Sequence, residues 1–243
     1  MGGPVLIVGS GPNAVDCLDW DLSGFTAVVA INNAWRVRPD WTHIIYPEDF
    51  PAERRPAEVA AGQTVVTAEE YVPHQNRFGG VVYAGGTMAF TAGYWALGAL
   101  RPSVMAFLGC DMVYPAKGKT HFYGTGAADP LRQDVTLQSL EAKSARLMLL
   151  AAAAGCRCVN LSCAPQSRLV FPRATLDALP LGVTSRMPDL QAPLSRETDL
   201  GYVVPSGRYW EVEKTFDRGA VAALDQLWLA AHSSYQERGG QVA

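Results

Sequence analysis

The sequence is short of charge and has no basic excess. Its 243 residues carry 20 Lys and Arg against 23 Asp and Glu, a net charge of -3 at pH 7, and charged residues make up 18% of the chain. That balance offers no general attraction to nucleic-acid phosphates, so DNA and RNA are not expected partners. There is no basic leader ahead of the first apolar run, which is itself of strand length, and Leu6 stands where a myristoylation signal needs Ser or Thr. No unbroken hydrophobic run has the length of a membrane span: the greasiest stretch, from Tyr83 to Gly109, is interrupted by Arg101-Pro102 and reads as a buried helix followed by a buried strand. The chain is therefore expected to be soluble and cytoplasmic. Cysteine is sparse and odd in number, with five, which fits a reducing compartment. Cys156, Cys158 and Cys163 lie close together, yet no second Cys or His pair follows at a zinc spacing. Buried structural cysteine is the better reading, and no metal ligand is assigned.

What is present is hydrophobic substance, at 49% of residues, enough for one α/β domain with a small lid. Short apolar runs at Val5–Val8, Ala27–Ile31, His43–Tyr46, Thr64–Thr67, Val104–Leu108 and Cys158–Leu161 predict strands. Helical patterns cover Asn13–Leu18, Ala52–Ala60, Thr87–Leu100, Val135–Ala154 and Phe216–Gln236. Strands apolar throughout, alternating with helices, predict a doubly wound, mainly parallel, Rossmann-like sheet with helices on both faces. Residues 1–163 form the expected nucleotide-binding core. Residues 164–243 form a C-terminal wrap and helix on the same domain, the proline-rich part from Ala164 to Arg208 running over the surface or forming a small lid. In Val135–Ala154 the residues Leu137, Leu140, Leu147 and Leu150 face the core, Glu141 and Arg146 lie on the more polar side, and Asp134 is a candidate N-cap.

Ligands of such sheets bind beyond the carboxyl ends of the strands. The first strand breaks into Gly9-Ser10-Gly11-Pro12-Asn13, a turn that leads into a helix N-terminus and suits a phosphate. Gly9-x-Gly11-x-x-Ala14 formally matches the dinucleotide fingerprint, but the second strand ends in Asn32-Asn33 with no carboxylate to hold the ribose of NAD. Asn32 suits a ribose or a pyrimidine edge, or else caps a short helix. Gly86-Thr87 offers a second anion cradle or a plain N-cap. The loop 109–134 is too long for a plain connection and gathers Asp111, Tyr114, Lys117, Lys119, His121 and Tyr123. A histidine there can take a proton from a hydroxyl near neutral pH, while tyrosines and lysines can stabilise a leaving phosphate. The alternative is a solvated loop in which His121 caps or packs. Of the other histidines, His43 reads as core, and His74 and His232 as surface or helix positions.

In this order, the stretches Gly9-Ser-Gly-Pro12, Ile31-Asn32, Gly86–Gly98, Leu108-Gly-Cys-Asp-Met-Val-Tyr114 and His121-Phe122 resemble the bacterial sialyltransferases of glycosyltransferase family 42 and the related 6-hydroxymethylpterin diphosphokinase-like proteins. The likeness covers about the first two thirds of the chain. It implies a cytidine monophosphate ester as sugar donor, a glycan or small-molecule acceptor and catalysis without a metal. Gly9, Ser10, Gly11, Pro12 and Asn13 would approach the nucleotide, Asn32 would hold ribose or base, and Gly86 and Thr87 would lie near the phosphate. Tyr114 would steady the leaving phosphate and His121 would be the general base. The chain departs from the pattern at Ser10, where the family has Asn, at Gly-Gly-Thr before the central helix, and in a shorter loop. That loop lacks a tyrosine between Tyr114 and His121, a place Tyr123 would have to fill. Two other readings stand beside this one: a pyrophosphokinase acting on a pterin-like alcohol, with Mg²⁺ held by Asp111, Asp129 or Glu48-Asp49, and a nucleotide-binding protein without turnover. Apolar helix faces, together with the resemblance, make a homo-oligomer an expectation.

Overall fold

A computed structural model describes residues 2–179 and 186–240. Met1 and residues 180–185, on which parts of the leader and wrap readings fall, lie outside the described residues. Six strands, β1 (Val5–Val8), β2 (Ala27–Ile31), β3 (His43–Ile45), β4 (Thr64–Val66), β5 (Val104–Leu108) and β6 (Arg157–Asn160), form one sheet in the order β4-β3-β2-β1-β5-β6. Every pairing is parallel. The chain winds outward from β1 through β2 and β3 to β4, then crosses back to add β5 and β6 on the other side. The expected doubly wound architecture is the one observed, and its topological switch point lies between β1 and β5.

β1, β2 and β5 are apolar throughout because both faces of the sheet are covered there, whereas β3, β4 and β6 carry His43, Thr64, Arg157 and Asn160. Alternate side chains of a strand point to opposite faces. Val5, Ile7, Val29, Ile31 and Ile45 enter one core with Phe90, Tyr94, Leu97 and Leu147. Leu6, Val8, Val28, Ala30 and Ile44 enter a second core with Ala14, Cys17, Leu22 and Trp41. The first face carries the α-helices α1 (Ala68–Asn76), α2 (Val81–Ala84), α3 (Met88–Ala99) and α4 (Leu140–Ala153). The second is covered by loops and by short 3-10 helices, Pro12–Cys17 and Asn32–Arg36. Two further helices, α5 (Gln191–Leu200) and α6 (Arg218–Gly240), come from the C-terminal third, and α6 packs along α4.

Several expected helices differ in length or kind. The segment expected to be helical over Asn13–Leu18 is the 3-10 helix Pro12–Cys17, with Pro12 at its first position. Only Ala52–Arg54 of the expected Ala52–Ala60 is helical, because Pro56 follows and disfavours helix for Arg55. The expected Val135–Ala154 is divided: Asp134 caps a 3-10 turn over Val135–Leu137, and the Ser139 hydroxyl then caps α4 by accepting from Ala142 N at 3.1 Å. Arg146, expected on the polar side of that helix, is buried at 1% exposure. Its guanidinium meets both oxygens of Glu197 on α5 at 2.7 Å and donates to Tyr94 Oη at 2.7 Å. Nearby, Lys143 Nζ meets Asp225 of α6 at 2.8 Å. These two buried pairs fasten α5 and α6 onto α4. Of the clustered cysteines, Cys156 and Cys158 are buried as expected, whereas Cys163 is exposed. Among the described residues no helix is long and apolar enough to cross a membrane.

Candidate functional site

A cleft of about 990 Å³ runs along the carboxyl edge of the sheet and receives the residues that follow each strand. Gly9, Ser10, Gly11, Pro12 and Asn13 after β1, Asn32 after β2, Pro47–Asp49 after β3, Asp111–Tyr114 after β5 and Ala164–Gln166 after β6 all line it. Gly86 and Thr87 enter from the start of α3, and His121 from the loop 109–134. Eleven of the twelve residues given a catalytic or nucleotide-binding role therefore share one cavity, and Lys117 and Lys119 of the same loop do not line it. Tyr123 does not line it; 41% exposed, it stacks on the His121 ring with centroids 5.0 Å apart.

The opening turn is built differently from the sequence expectation. Gly9 N donates to Leu108 O and Gly11 N to Gly109 O, both at 2.8 Å, so these amides are bonded to the exit of β5. A Cβ on Gly9 would lie 2.4 Å from Gly109 O, and one on Gly11 2.8 Å from it. The two glycines are needed for the contact between the β1 and β5 exits, a reason that requires no ligand.

Asp111 ties these exits to β6. Its Oδ2 accepts from Asn13 Nδ2 at 3.0 Å and from Ser162 Oγ at 2.5 Å, and its Oδ1 accepts from Asn160 Nδ2 at 3.0 Å. With both oxygens bonded and 8% of the residue exposed, the carboxylate organises three strand ends. In this geometry it is a positioning residue. Asn160 and Ser162, invisible as site residues in the sequence, complete the knot.

His121 is held from several sides. Its backbone N donates to Gly124 O at 2.9 Å, and Phe122 N fastens the loop to Ser10 O at 3.2 Å. Its Nδ1 lies 2.8 Å from Thr120 Oγ1, which itself lies 3.1 Å from Gly126 O. When the Thr120 hydroxyl gives its one proton to Gly126 O, Nδ1 carries the ring proton and Nε2 is left with a free lone pair. Burial lowers the pKa of His121, only partly offset by Asp129, so the ring is neutral at pH 7. The Tyr114 ring lies 5.9 Å away, centroid to centroid. Burial pushes the Tyr114 phenol well above its usual range, helped by Cys110 and Asp129, and keeps it a proton donor. A neutral base and a protonated donor thus stand side by side.

At the start of α3, Thr87 Oγ1 caps the helix by accepting from Phe90 N at 3.3 Å. Beside it stands a cation that sequence reasoning missed. Arg132 donates to Gly86 O at 3.0 Å, to Asp134 Oδ2 at 3.0 Å and to Tyr209 Oη at 2.9 Å. Tyr209 Oη in turn donates to Asp134. Burial raises the Asp134 pKa, but hydrogen bonds from Tyr209 and Thr136 outweigh it and hold the carboxyl below the usual range. Asp134 offsets the charge of this guanidinium, which leaves the helix N-terminus as the feature that favours negative charge there.

Asn32 occupies left-handed backbone, with φ of +53°, an uncommon conformation for a residue with a side chain. It begins the short 3-10 helix Asn32–Arg36, yet its side chain makes no capping bond: the cap position is Ile31. Among the described residues nothing bonds its buried Oδ1. Asn takes up left-handed backbone more readily than most residues, and a buried acceptor without a partner beside the cleft calls for a donor. All four carboxylates that the sequence offers to a divalent cation, Glu48, Asp49, Asp111 and Asp129, line the cleft. Asp111 is fully bonded, and among the described residues no group of three His, Cys, Asp or Glu stands close enough to hold a metal ion.

Comparison of the chain with protein-family models, with curated proteins and with solved structures gives no match.

Proposed function

We propose that this chain transfers a sugar from a nucleotide donor, with a cytidine monophosphate ester as the favoured donor and without a metal. The observation that carries the reading is the placement of His121, anchored through Thr120, beside Tyr114, ring centroids 5.9 Å apart, in a cleft of about 990 Å³ along the carboxyl edge of a doubly wound sheet. In the transfer, His121 Nε2 takes the proton from an acceptor hydroxyl as its oxygen bonds to the anomeric carbon. The bond from that carbon to the phosphate oxygen breaks, and the electron pair leaves with the nucleotide. Tyr114 donates to the departing oxygen, and the α3 N-terminus offsets its charge. Asn32 Oδ1 accepts from a ribose hydroxyl or from the exocyclic amine of cytosine. A cleft of this size lies within the usual range for small-molecule sites and is large enough for a nucleotide with its sugar.

The pyrophosphokinase reading stands second: Glu48, Asp49 and Asp129 line the cleft and would hold Mg²⁺ together with substrate phosphates, but Asp111 is already bonded on both oxygens. The deciding experiment is thermal stability against CMP, CDP, UDP, GDP, ATP and NAD, each with and without Mg²⁺. A metal-independent rise with CMP is expected, roughly 2.7 kcal/mol at about a hundred times the dissociation constant. Asn32→Gly, which keeps the left-handed backbone and removes the acceptor, should weaken that response. A rise only with ATP and Mg²⁺ would replace this reading with the pyrophosphokinase. CMP binding with no turnover on any acceptor would leave a nucleotide-binding protein without chemistry. Given an active donor and acceptor pair, His121→Ala should lower the rate about 10²-fold or more.

A further inference from the structure

The charges that line the cleft are balanced against an anion. Among the described residues, the carboxylates of Glu48, Asp49, Asp111 and Asp129 face only two guanidiniums, Arg132 and Arg208. Arg132 is committed: it lies 2.9 Å from the buried Asp134 and donates to Tyr209 and to Gly86 O as well. Arg208 is held differently. Its NH2 group lies 3.3 and 3.4 Å from the two oxygens of Glu48, and both side chains are about half exposed. A charge-assisted bond is ordinarily about 2.7–2.9 Å long, so this pair is loose. The backbone that carries Arg208 is fixed on both sides. Asn76 Nδ2 of α1 donates to Pro205 O at 2.8 Å, and Tyr209 is bonded to Asp134 and Arg132. Between these ties Gly207 takes left-handed backbone, with φ of +76°, and lies so close to α1 that a Cβ would stand 2.8 Å from a Val72 methyl. The far end of the strap abuts the start of α3, where a Cβ on Gly86 would lie 2.8 Å from Tyr209 Oη. The strap 205–210 is thus anchored, and the Arg208 side chain is the part of it free to swing.

From this arrangement we infer that Arg208 and Glu48 form an exchangeable latch: Arg208 leaves Glu48 to bind the phosphate of an anionic ligand, and Glu48 is its counter-ion until that ligand arrives. A phosphate entering a cleft lined by four carboxylates needs a cation to offset their repulsion. Arg132 cannot supply it, because leaving Asp134 would strand a buried carboxylate. Arg208 can. Its pair with Glu48 is exposed and therefore weakly held, and the carboxylate it leaves behind returns to water. On a phosphate the same guanidinium makes two parallel charge-assisted bonds in place of two long ones. Glu48 is accordingly self-inhibitory: it competes with the ligand for the one cation that can move. The latch rests on the reading of the cleft as a site for a phosphate-bearing ligand, and it does not depend on sugar transfer.

The test is calorimetric titration of the full chain with inorganic pyrophosphate, in EDTA so that no metal bridges the anion to a carboxylate, with CMP titrated in parallel. Wild type is expected to bind pyrophosphate. Glu48→Gln should tighten it about two- to fivefold, the worth of an exposed ion pair, and Arg208→Gln should weaken it about tenfold or more. The double variant Glu48→Gln with Arg208→Gln decides between contact and field. It has the same net charge as wild type, so a pair that only shapes the potential leaves the affinity unchanged. A latch that hands Arg208 to the phosphate predicts a loss of about threefold or more. Because both side chains are half exposed, unchanged thermal midpoints will show that the variants are folded. No binding of pyrophosphate to wild type, no tightening in Glu48→Gln, or equal affinity in wild type and the double variant overturns the latch. Pyrophosphate binding with the expected order but without CMP binding would keep the latch and overturn the cytidine-donor reading. CMP binding that is indifferent to Arg208→Gln would do the reverse.

Discussion

Replacing Asp111 by Ala tests whether the site is held together as described. The substitution removes one carboxylate and leaves three donors behind: Asn13 Nδ2, Ser162 Oγ and Asn160 Nδ2, previously bonded at 3.0, 2.5 and 3.0 Å. An orphaned buried donor costs about 1–3 kcal/mol. The low end applies here, because Asn13 Nδ2 keeps a bond to Ser162 Oγ and Asn160 Nδ2 keeps one to Ser167 Oγ, and because the cleft lets water reach the vacancy. The loss should therefore be about 3 kcal/mol. For a chain of this size each kcal/mol moves the thermal midpoint by roughly 2–4 °C, so the fall should be about 6–12 °C. Urea unfolding with an unchanged slope would assign the loss to the folded state. Asp111→Asn keeps the volume and one acceptor and should lose less than half as much. A loss under about 1 kcal/mol in Asp111→Ala, within the ordinary range for a surface change, would mean that the knot does not bind the strand ends. A variant of normal stability without transfer activity would instead make Asp111 a reacting group.

Three further predictions concern the loop that carries His121 and the C-terminal anchor. A Cβ at position 126 would lie 2.9 Å from His121 Nδ1, so Gly126→Ala should displace the imidazole and lower transfer about 10²-fold with little change in melting temperature; an unaltered rate would mean that His121 is not the base. Transfer should rise with pH through a pKa below the ordinary His value of about 6.5 and stay flat to pH 9, since burial lowers His121 and raises Tyr114; an acid limb centred above 6.5 would contradict the assignment. Glu197→Gln leaves Arg146 buried without its counter-ion and should cost about 3–5 kcal/mol in urea unfolding. The double variant Arg146→Met with Glu197→Leu should then be more stable than Glu197→Gln alone, and the opposite order would show that the pair is net stabilising.

How much of this was legible depended on whether the deciding contact was local. β1, β2 and β5 are readable because both of their faces are buried and so carry an unbroken apolar signal, whereas β3, β4 and β6 are short apolar runs that also carry His43, Thr64 and Arg157. The carboxyl-edge rule then places Gly9, Asn32, Asp111 and His121 in one cleft with no further information. The helix α1 was missed because Pro73 lies inside it, although Thr67 and Glu70 spell a capping box that announces its start. Arg146 misled for the opposite reason. A charge between apolar residues of a helix ordinarily marks the wet side, and its partner Glu197 is 51 residues away. The same separation hides Arg208, which is 160 residues from Glu48, and Tyr209, which is 75 from Asp134. No period or motif connects such pairs, because they meet only when the C-terminal third folds back over a finished sheet. The residues proposed to carry the chemistry of the edge are thus written locally in the core's own loops. Those that fasten the C-terminal third are set by tertiary contact, and for that reason Gly126→Ala and Glu197→Gln should fail in separable ways, one in rate and the other in stability.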